Sequence, residues 1–293
     1  MTQSNSDYRY VIVSPVKDEE KYIEETIKSV IEQTVKPTKW IIVDDGSQDN
    51  TPEIINKYSR EYDWIKIIKI ERDTKREPGP AIINAFNKGY ELFKNEYFDF
   101  IVKLDCDLKF DSNYFEQLLS RFKVNEKLGI ASGIYYEKKD QHWVPIKMPD
   151  YHAAGASKVA RKECFEQIGG FLPSRGWDTI DEIKAQMMGW ETCHYKDLKM
   201  YHLKTEGSGI GQLQTYIMLG EIYYLTGGSK LFFLMKLLHR TIFSKPLVIG
   251  AFAMLFGYIK PLINRRELLV SREEAKFYKK LLNKRITNAL VKF

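Results

Sequence analysis

Cysteine is scarce in this sequence of 293 residues, and its apolar runs are short. Three cysteines with no Cys-x-x-Cys pair exclude a disulfide-stapled mini-domain and indicate a reducing, intracellular setting. The uncharged run at 247–259 is shorter than the roughly 20 residues that a membrane-spanning helix needs. Residues 1–8 are polar, so we expect no signal peptide, and there is neither an internal repeat nor a Gly-x-x-x-x-Gly-Lys phosphate loop.

The net charge of +6 conceals an uneven distribution. Residues 230–293 contain 14 Lys and Arg against 3 Asp and Glu, a net charge of +11, whereas the other 229 residues carry −5. With 44% hydrophobic residues, the composition suits a globular protein with one large core or two modest ones. A basic, apolar C-terminal part suggests an anionic partner, either lipid or nucleic acid.

Strands and helices are predicted to alternate over the first two thirds of the chain. Apolar runs at 10–13, 40–43, 65–70 and 98–104 are typical of strands, and apolar residues at helical spacing fill the intervals. Thr51 is predicted to cap the second helix, with Pro52 at its first position. This alternation implies right-handed crossovers and an α/β fold, a doubly wound, mostly parallel sheet with helices on both faces.

Acidic residues follow three of the predicted strands. Glu19 lies in the loop after the first strand, Asp44 follows the second, and Asp105 and Asp107 follow the fourth. Sheets of this kind bind ligands beyond the carboxyl ends of their strands. Carboxylates gathered there would repel one another unless a cation or hydrogen-bond donors joined them. This edge of the sheet is therefore the predicted functional site.

Five short motifs occur in a fixed order along residues 9–205. They are Ser-Pro-Val-Lys-Asp-Glu-Glu at 14–20, Ile-Val-Asp-Asp-Gly-Ser-Gln-Asp-Asn-Thr at 42–51, Leu-Asp-Cys-Asp-Leu at 104–108, Ile-Gly-Gly-Phe at 168–171, and Gly-Trp-Asp-Thr-Ile-Asp-Glu at 176–182, which stands before Met-Gly-Trp at 188–190. Together they resemble family 2 of the inverting glycosyltransferases, which have the GT-A fold. The resemblance implies transfer of a sugar from a nucleotide-diphosphate donor, of the UDP or GDP type, to a saccharide or lipid-linked acceptor.

Asp105 and Asp107 stand two residues apart at a predicted strand end. A turn there can bring both carboxylates toward one hard cation, and oxygen ligands suit Mg²⁺ or Mn²⁺. The resemblance maps the family's Asp-x-Asp motif onto this pair, with Asp107 as the more direct metal ligand and Asp105 also close to the donor. It places His202 near the diphosphate or metal. The alternative interpretation is two solvated turn residues and a structural histidine.

The resemblance assigns nucleotide contacts to the loops after the first two strands. Asp44 corresponds to the carboxylate that hydrogen-bonds the base or ribose, and Gly46 permits the turn that follows it. Pro15, Lys17 and Glu19 correspond to the family's first nucleotide-binding loop. A strand-to-helix turn with an Asx cap is the alternative for the second loop, and both interpretations can hold at once.

Inverting transfer needs a carboxylate that takes the proton of the acceptor hydroxyl as its oxygen attacks the anomeric carbon. The resemblance places Asp178 at the position of the family's catalytic aspartate, although Trp177 stands where members carry Glu. Asp181 is the second candidate, because a helix would put Asp178, Asp181 and Glu182 on one face. A structural role is the alternative, since Thr179 to Glu182 matches a capping box.

The chain is expected to divide into a catalytic domain at 1–210 and a basic, apolar helical segment at 211–293. Helices are predicted at 216–225, 231–242, 246–263 and 271–290, and the glycine-rich stretch at 207–211 is expected to be a flexible loop or lid. An apolar run between lysines fits an interfacial segment on an anionic leaflet, which favours lipid over nucleic acid. We therefore expect a cytoplasmic protein, peripheral on the cytoplasmic face of the membrane. A buried helix of a second small core is the alternative.

Two other functions stay open. A nucleotidyltransferase has a similar doubly wound sheet, but the sequence shows no Gly-rich basic loop after the first strand to bind a triphosphate. A non-catalytic sugar-nucleotide-binding module on a membrane would keep the fold and lose turnover. Trp177 in place of the family's Glu is compatible with that module.

Overall fold

The computed structural model describes residues 9–70, 79–204, 211–243 and 248–291 of the chain. The chain forms two compact units, Met1–Thr205 and Glu206–Phe293. The first is an α/β domain and the second consists of helices. The boundary expected at residue 210 and most of the loop expected at 207–211 lie outside the described residues.

Parallel strands form the first half of the sheet. These strands are β1 (Tyr10–Val16), β2 (Lys39–Asp44), β3 (Ile65–Lys69) and β4 (Phe100–Leu104), and the helices between them are α1 (Ile23–Ile31), α2 (Thr51–Glu61) and α3 (Pro80–Glu91). Their order in the sheet is β3-β2-β1-β4. Because helices cover both faces, β1, β2 and β4 are buried almost throughout, which explains their continuous apolar runs. The predicted alternation of strands and helices is confirmed for this half of the sheet.

The second half of the sheet is mixed. It contains β5 (Leu108–Phe110), β6 (Leu128–Lys139), β7 (His142–Pro145), β8 (Ser157–Arg161) and β9 (Glu191–His202), with helices α4 (Tyr114–Val124), α5 (Lys162–Gln167) and α6 (Trp177–Met187). After β4 the order continues β8-β6-β9-β5, and β7 pairs with β6. Strand β8 is antiparallel to β4 and β6, and β9 is parallel to β6 but antiparallel to β5. This return path sets His202 opposite Leu108, beside the end of β4.

Two apolar cores hold the helices against the two faces of the sheet. Helices α1, α2 and α4 pack on one face, where Trp40 and Phe115 are fully buried. Helices α3, α5 and α6 pack on the other, where the rings of Phe86 and Phe165 meet edge to face. Gly89 allows the close approach of α3, since a Cβ there would lie 2.6 Å from Cγ1 of Val13.

The predicted cap of α2 is wrong, and the capping box considered as an alternative in α6 is absent. Thr51 is the first residue of α2, and its hydroxyl accepts the N–H of Glu19 instead of capping the helix. The capping box that was the alternative interpretation of Thr179 to Glu182 does not form, because α6 already begins at Trp177, after Gly176 in a left-handed conformation (φ +76°). Glu182 is then in the second turn, and its carboxylate points into the protein interior.

The second unit contains α7 (Gln212–Leu225), α8 (Lys230–Phe243), α9 (Ile249–Ile263) and α10 (Arg272–Val291), which confirms the four helices predicted there. Helices α7 and α9 cross at very short range. A Cβ on Gly220 would lie 1.9 Å from the carbonyl oxygen of Met254, and a Cβ on Gly257 would lie 2.0 Å from that of Ile217. Across the described residues, none of the helices combines the length and the hydropathy of a membrane span.

Candidate functional site

The loops that follow β1 and β2 are hydrogen-bonded to each other. The N–H of Asp18 donates to the hydroxyl of Ser47 (3.0 Å), and the Asp18 carboxylate accepts the N–H of Gln48 (2.8 Å). One residue further on, the N–H of Glu19 donates to Thr51 Oγ1 (2.8 Å). The polar residues that the two motifs contribute therefore build one surface at the carboxyl end of the sheet.

Asp44 and Gly46 form the turn that leaves β2. The Asp44 side chain is 2% exposed, and its Oδ1 accepts the N–H of Ser47 (2.9 Å), which makes an Asx turn. Gly46 has φ +77°, a conformation that a residue with a side chain rarely adopts. The alternative interpretation of this loop is thus present in the structure, and Asp44 still lies at the ligand-binding edge.

Pro15, Lys17 and Glu19 lie in and after the end of β1. Pro15 is half-buried in the strand, and its carbonyl oxygen is 3.8 Å from Sγ of Cys106. Lys17 is half-buried in the following loop. Glu19 is 8% exposed, and its carboxylate pairs with Lys204, which lies two residues after the end of β9. That ion pair ties the first loop to the end of β9.

Asp107 and His202 meet at the centre of the candidate site. Nε2 of His202 lies 3.2 Å from Oδ2 of Asp107, and both side chains are 11% exposed. The backbone reinforces this contact, because the N–H of Leu203 donates to the carbonyl of Asp107 (2.8 Å). Oδ1 of Asp107 is buried and has no hydrogen-bond partner among the described residues. A buried carboxylate oxygen in this state is open to a cation.

Asp105 is held by a lysine from inside the sheet. Nζ of Lys103 pairs with Oδ1 of Asp105 and also donates to the carbonyl of Gly155 (2.9 Å). Burial raises the pKa of Asp105, Lys103 opposes this rise, and the Asp107 carboxylate adds to it. The two aspartates of the motif therefore have different surroundings, one paired with an ammonium group and the other with an imidazole.

A second buried lysine forms ion pairs with two acids of α6. Lys158 is fully buried, lies directly opposite Lys103 in the β4–β8 pair, and donates to both oxygens of Asp181 (3.1 and 3.0 Å). It also reaches Oε1 of Glu182 at 3.3 Å. Glu182 further accepts the N–H of Ala153 (2.7 Å). Asp181 and Glu182 thus belong to a buried charge network and do not face solvent.

Asp178 differs from the two acids that follow it. It is half-buried, its carbonyl oxygen accepts a hydrogen bond from Lys158 (2.9 Å), and no described residue hydrogen-bonds to its carboxylate. A Cβ on Gly155 would lie 3.2 Å from the Trp177 ring and 3.5 Å from Cβ of Asp178. The carbonyl oxygen of Gly155 accepts a hydrogen bond from Lys103, which also pairs with Asp105. Asp178 is therefore connected to Asp105 through Gly155 and Lys103.

Three lysines of this site were not predicted from the sequence. Lys103 and Lys158 lie inside buried strands, and Lys204 follows β9. A lysine within an apolar strand is a usable signal, since lysine is almost never fully buried unless it is paired. Two of the four acids predicted at this edge of the sheet, Glu19 and Asp105, are therefore paired with the protein's own ammonium groups.

The described residues contain no ready-made metal site of three or more His, Cys, Asp or Glu side chains. Asp107 and His202 come together, and Asp105 is engaged by Lys103. A site with two protein ligands suits a cation that also binds the phosphates of a substrate, as Mg²⁺ commonly does.

This fold and this edge define an α/β protein with a ligand site beyond the ends of its parallel strands. Residues 11–176 match the model of the family described as Glycosyl transferase family 2. That match covers more than half of the chain, and the chain belongs to this family.

Relatives of known function align with part of the chain. The poly-beta-1,6-N-acetyl-D-glucosamine synthase of Staphylococcus aureus strain COL is 32% identical over 116 residues, which are 40% of this chain and 26% of that protein. The synthase of Staphylococcus epidermidis is 31% identical over the same shares. The chain thus matches about a quarter of the length of these relatives.

Solved structures share the fold at low sequence identity. The mannosyltransferase PcManGT from Pyrobaculum calidifontis, in complex with GDP-Man and Mn²⁺, matches 97% of this chain and 81% of its own at a TM-score of 0.57 and 15% identity. GalNAc-T7 with UDP, GalNAc and Mn²⁺ matches 98% of this chain and 58% of its own at 0.61 and 14%. Together with the family model, these matches establish the GT-A fold that the sequence predicts.

Proposed function

We propose that the chain transfers a sugar from a UDP- or GDP-type donor to a saccharide or lipid-linked acceptor, with inversion and with Mg²⁺ or Mn²⁺. Family membership supports glycosyl transfer. The structural neighbours that hold GDP-Man or UDP with Mn²⁺ support a nucleotide-sugar donor and a divalent cation. The relatives, named as polysaccharide synthases, support a saccharide acceptor.

The observation that carries the proposal is the position of Asp178. Among the acids of α6, it alone is half-buried and has a carboxylate that accepts no hydrogen bond from a described residue. It accepts the proton of the acceptor hydroxyl while that oxygen forms a bond to the anomeric carbon, and the bond from that carbon to the diphosphate breaks. Asp181 is a poor base in comparison, because Lys158 occupies both of its oxygens.

The cation would be held by Asp107 and His202. The bare buried Oδ1 of Asp107 fits such a ligand, and the His202 imidazole lies beside the same carboxylate, with Nε2 3.2 Å from Oδ2. When bound, the cation would neutralise the charge that develops on the departing diphosphate. Lys103 holds Asp105 beside it, and Glu19, Asp44 and the linked loops would bind the nucleotide.

Substitution of the two aspartates of α6 separates catalysis from folding. Asp178→Asn is expected to keep donor binding and to abolish transfer. Asp181→Asn is expected to lower the urea midpoint instead, because it leaves Lys158 without its main buried counter-charge. Transfer by Asp178→Asn at the wild-type rate would remove Asp178 from the reaction.

Thermal stabilisation tests the donor site. UDP, GDP, CMP and dTDP are each added with and without Mn²⁺, and a ligand at a hundred times its dissociation constant should add about 2.7 kcal/mol. We expect one nucleotide to stabilise the protein, and only with metal. Asp107→Ala should lose this effect, whereas Asp197→Ala, on the exposed surface of β9, should keep it. No stabilisation by any nucleotide would reject the donor site.

Product analysis separates this proposal from its rivals. A glycosyltransferase releases a nucleoside diphosphate, and a nucleotidyltransferase releases pyrophosphate. A non-catalytic module would bind the donor and release neither, which is the outcome that Trp177 in place of the family's Glu would explain.

The helical unit is proposed to lie on a membrane surface. Of the nineteen large apolar side chains that are exposed in the described part of the chain, thirteen lie in this unit. They follow helical spacing on α8 (Leu231, Leu234, Leu238, Ile242) and on α9 (Ile249, Phe252, Phe256, Ile263). A large exposed apolar surface with a net positive charge fits the surface of an anionic leaflet.

Vesicle flotation tests the membrane proposal. Vesicles with phosphatidylglycerol should carry the protein at low salt, and neutral vesicles should carry less. Leu234→Glu is expected to reduce flotation, whereas Val124→Glu, at an even more exposed apolar position of the other unit, should not. Absence of binding to anionic vesicles at low salt would reject the proposal.

A further inference from the structure

One face of α8 carries a row of cations. Lys236 and Arg240 are one turn apart on this helix, and both are half-buried, whereas the apolar stripe of α8 is exposed. Arg285 comes from α10 and lies with its guanidinium 5.2 Å from the ring centre of Phe232. Phe232 is one turn before Lys236, so the three cations follow one another along about two turns of α8.

Aromatic rings set the orientation of these cations. The Arg240 guanidinium is 4.2 Å from the ring centre of Tyr216 on α7, and Lys236 Nζ is 5.8 Å from that of Tyr223. Tyr223 is fixed in turn by its stack with Phe233 and by a hydrogen bond from its hydroxyl to the carbonyl of Ser229 (2.9 Å). Contacts from three helices therefore place the row, which is unlike the freely moving lysines of an exposed surface.

The row has little negative charge around it. Helix α8 contains no Asp or Glu, the acids of α10 are Glu273 and Glu274 in its first turn, and Glu221 of α7 forms an ion pair with Arg266. No described carboxylate forms an ion pair with Lys236 or Arg240. Like charges one turn apart on a helix repel, so the arrangement costs stability unless an anion joins it.

The pKa of Lys236 agrees with this view. Burial, followed by repulsion from Arg240 and Arg285, lowers the pKa of Lys236 to about 8. A bound anion would reverse the repulsion and raise that pKa. The unligated protein therefore holds this ammonium group in an unfavourable state that an anion would relieve.

We propose that Lys236, Arg240 and Arg285 form a phosphate-binding site on the helical unit. Two arginines suit phosphate because their planar guanidinium groups can each donate two hydrogen bonds to its oxygens. The phosphate comes either from a lipid headgroup or from a soluble phosphate compound. This site is separate from the proposed donor site of the α/β domain, and it does not depend on the glycosyl-transfer proposal.

Two variants with equal charge test the site in the full-length protein. Lys236→Gln with Arg240→Gln removes two cations from the row. Lys276→Gln with Lys280→Gln removes two exposed cations at the same spacing on α10. Lys236→Arg with Arg240→Lys keeps the charge and serves as the rescue. Circular dichroism at 25 °C first establishes that all variants are folded.

Binding is measured in two arms, by calorimetry with inorganic phosphate and pyrophosphate, and by flotation with vesicles of phosphatidic acid. The first variant should bind about thirtyfold more weakly in at least one arm, since each basic residue near a surface contributes a factor of about five. The α10 variant should lose much less, and the rescue should bind like the wild type. A loss with the soluble anions identifies a free phosphate ligand, and a loss with vesicles alone identifies a headgroup.

Nuclear magnetic resonance of the Lys236 side chain gives an independent reading. Phosphate should move its titration from about 8 toward the ordinary lysine value. Equal binding by the row variant and the α10 variant in both arms, with no shift in the titration of Lys236, would overturn the proposal.

Discussion

The contact between α7 and α9 allows a sharp test of packing. Gly220 and Gly257 each face the backbone of the opposite helix, and a Cβ on either would lie about 2 Å from a carbonyl oxygen of that helix. Gly250, also inside α9, meets only the ring of Tyr216, at 2.7 Å. The same substitution by alanine therefore meets rigid backbone at Gly220 and a rotatable side chain at Gly250.

The expected cost follows from these distances. Real Cβ atoms essentially never approach closer than 3.0 Å, so alanine at Gly220 must push the helices about 1 Å apart. A gap of this size removes a quarter to a half of the attraction between the atoms that line it. Overpacking of this kind costs about 1–3 kcal/mol, which exceeds the roughly 0.4–1 kcal/mol that alanine gains over glycine in an open helix.

Urea denaturation of the full chain can follow the two units separately. All five tryptophans lie in the α/β domain, so their fluorescence reports that unit, whereas far-ultraviolet circular dichroism also reports the helical one. Gly220→Ala should lower the dichroism midpoint by about 1 M, if the slope is about 2 kcal/mol per molar urea. Gly250→Ala should change it far less. Equal midpoints for the two variants would refute the reasoning.

Two further predictions concern the buried charge network of the α/β domain. Lys158→Met should cost about 3–5 kcal/mol in urea denaturation, because Asp181 loses its buried partner, and a cost below about 1 kcal/mol would contradict that pairing. Burial lowers the pKa of His152, but the Glu182 carboxylate and its hydrogen bond more than offset this, so the net shift is upward. The stability from that pair is complete below the ordinary histidine pKa of about 6.5 and is lost as the pH rises through the higher folded-state pKa, so the urea midpoint should fall as the pH is raised above about 6.5. His152→Gln should lack this part of the fall, and an unchanged pH dependence in the variant would disprove it.

Patterns within single segments predicted the first half of the sheet well. The strands of Tyr10 to Val16 and Phe100 to Leu104 are buried on both faces, so their apolar runs are unmistakable. The order of the later strands was not predictable in the same way. Strand β9 pairs with β6 and β5, which lie far away along the chain, and no local pattern encodes such a pairing.

The same capping-box pattern occurs at Thr179 and at Ser271, and it forms in only one of the two places. The spacing from Thr179 to Glu182 matches a capping box, yet Lys158 attracts Glu182 inward and the box does not form. The same pattern does form at Ser271, whose hydroxyl accepts the N–H of Glu274 while the Glu274 carboxylate accepts the N–H of Ser271. The competing partner, which is distant in the sequence, decides between the two outcomes.

Candidate site residues were predictable as a set but not in their pairing. The acids at Asp44, Asp105 and Asp107 do lie at strand ends, because their motifs follow the strands directly. Asp105 is paired with Lys103, a lysine inside a buried strand. The amino-acid composition does not reveal that this lysine lies there. Asp178 and Asp181 were equivalent by helical spacing, and only their burial separates them.

The hydrogen bonds between the loops after β1 and β2 have a consequence for the rate and the entropy of ligand binding. Because Asp18, Ser47, Gln48 and Thr51 already hold the loops in one arrangement, a nucleotide that docks there loses little loop entropy. Association should then approach the rate of simple collision without waiting for the loops to close. The calorimetric entropy of nucleotide binding should accordingly become more unfavourable in Ser47→Ala, where the loops must first be ordered.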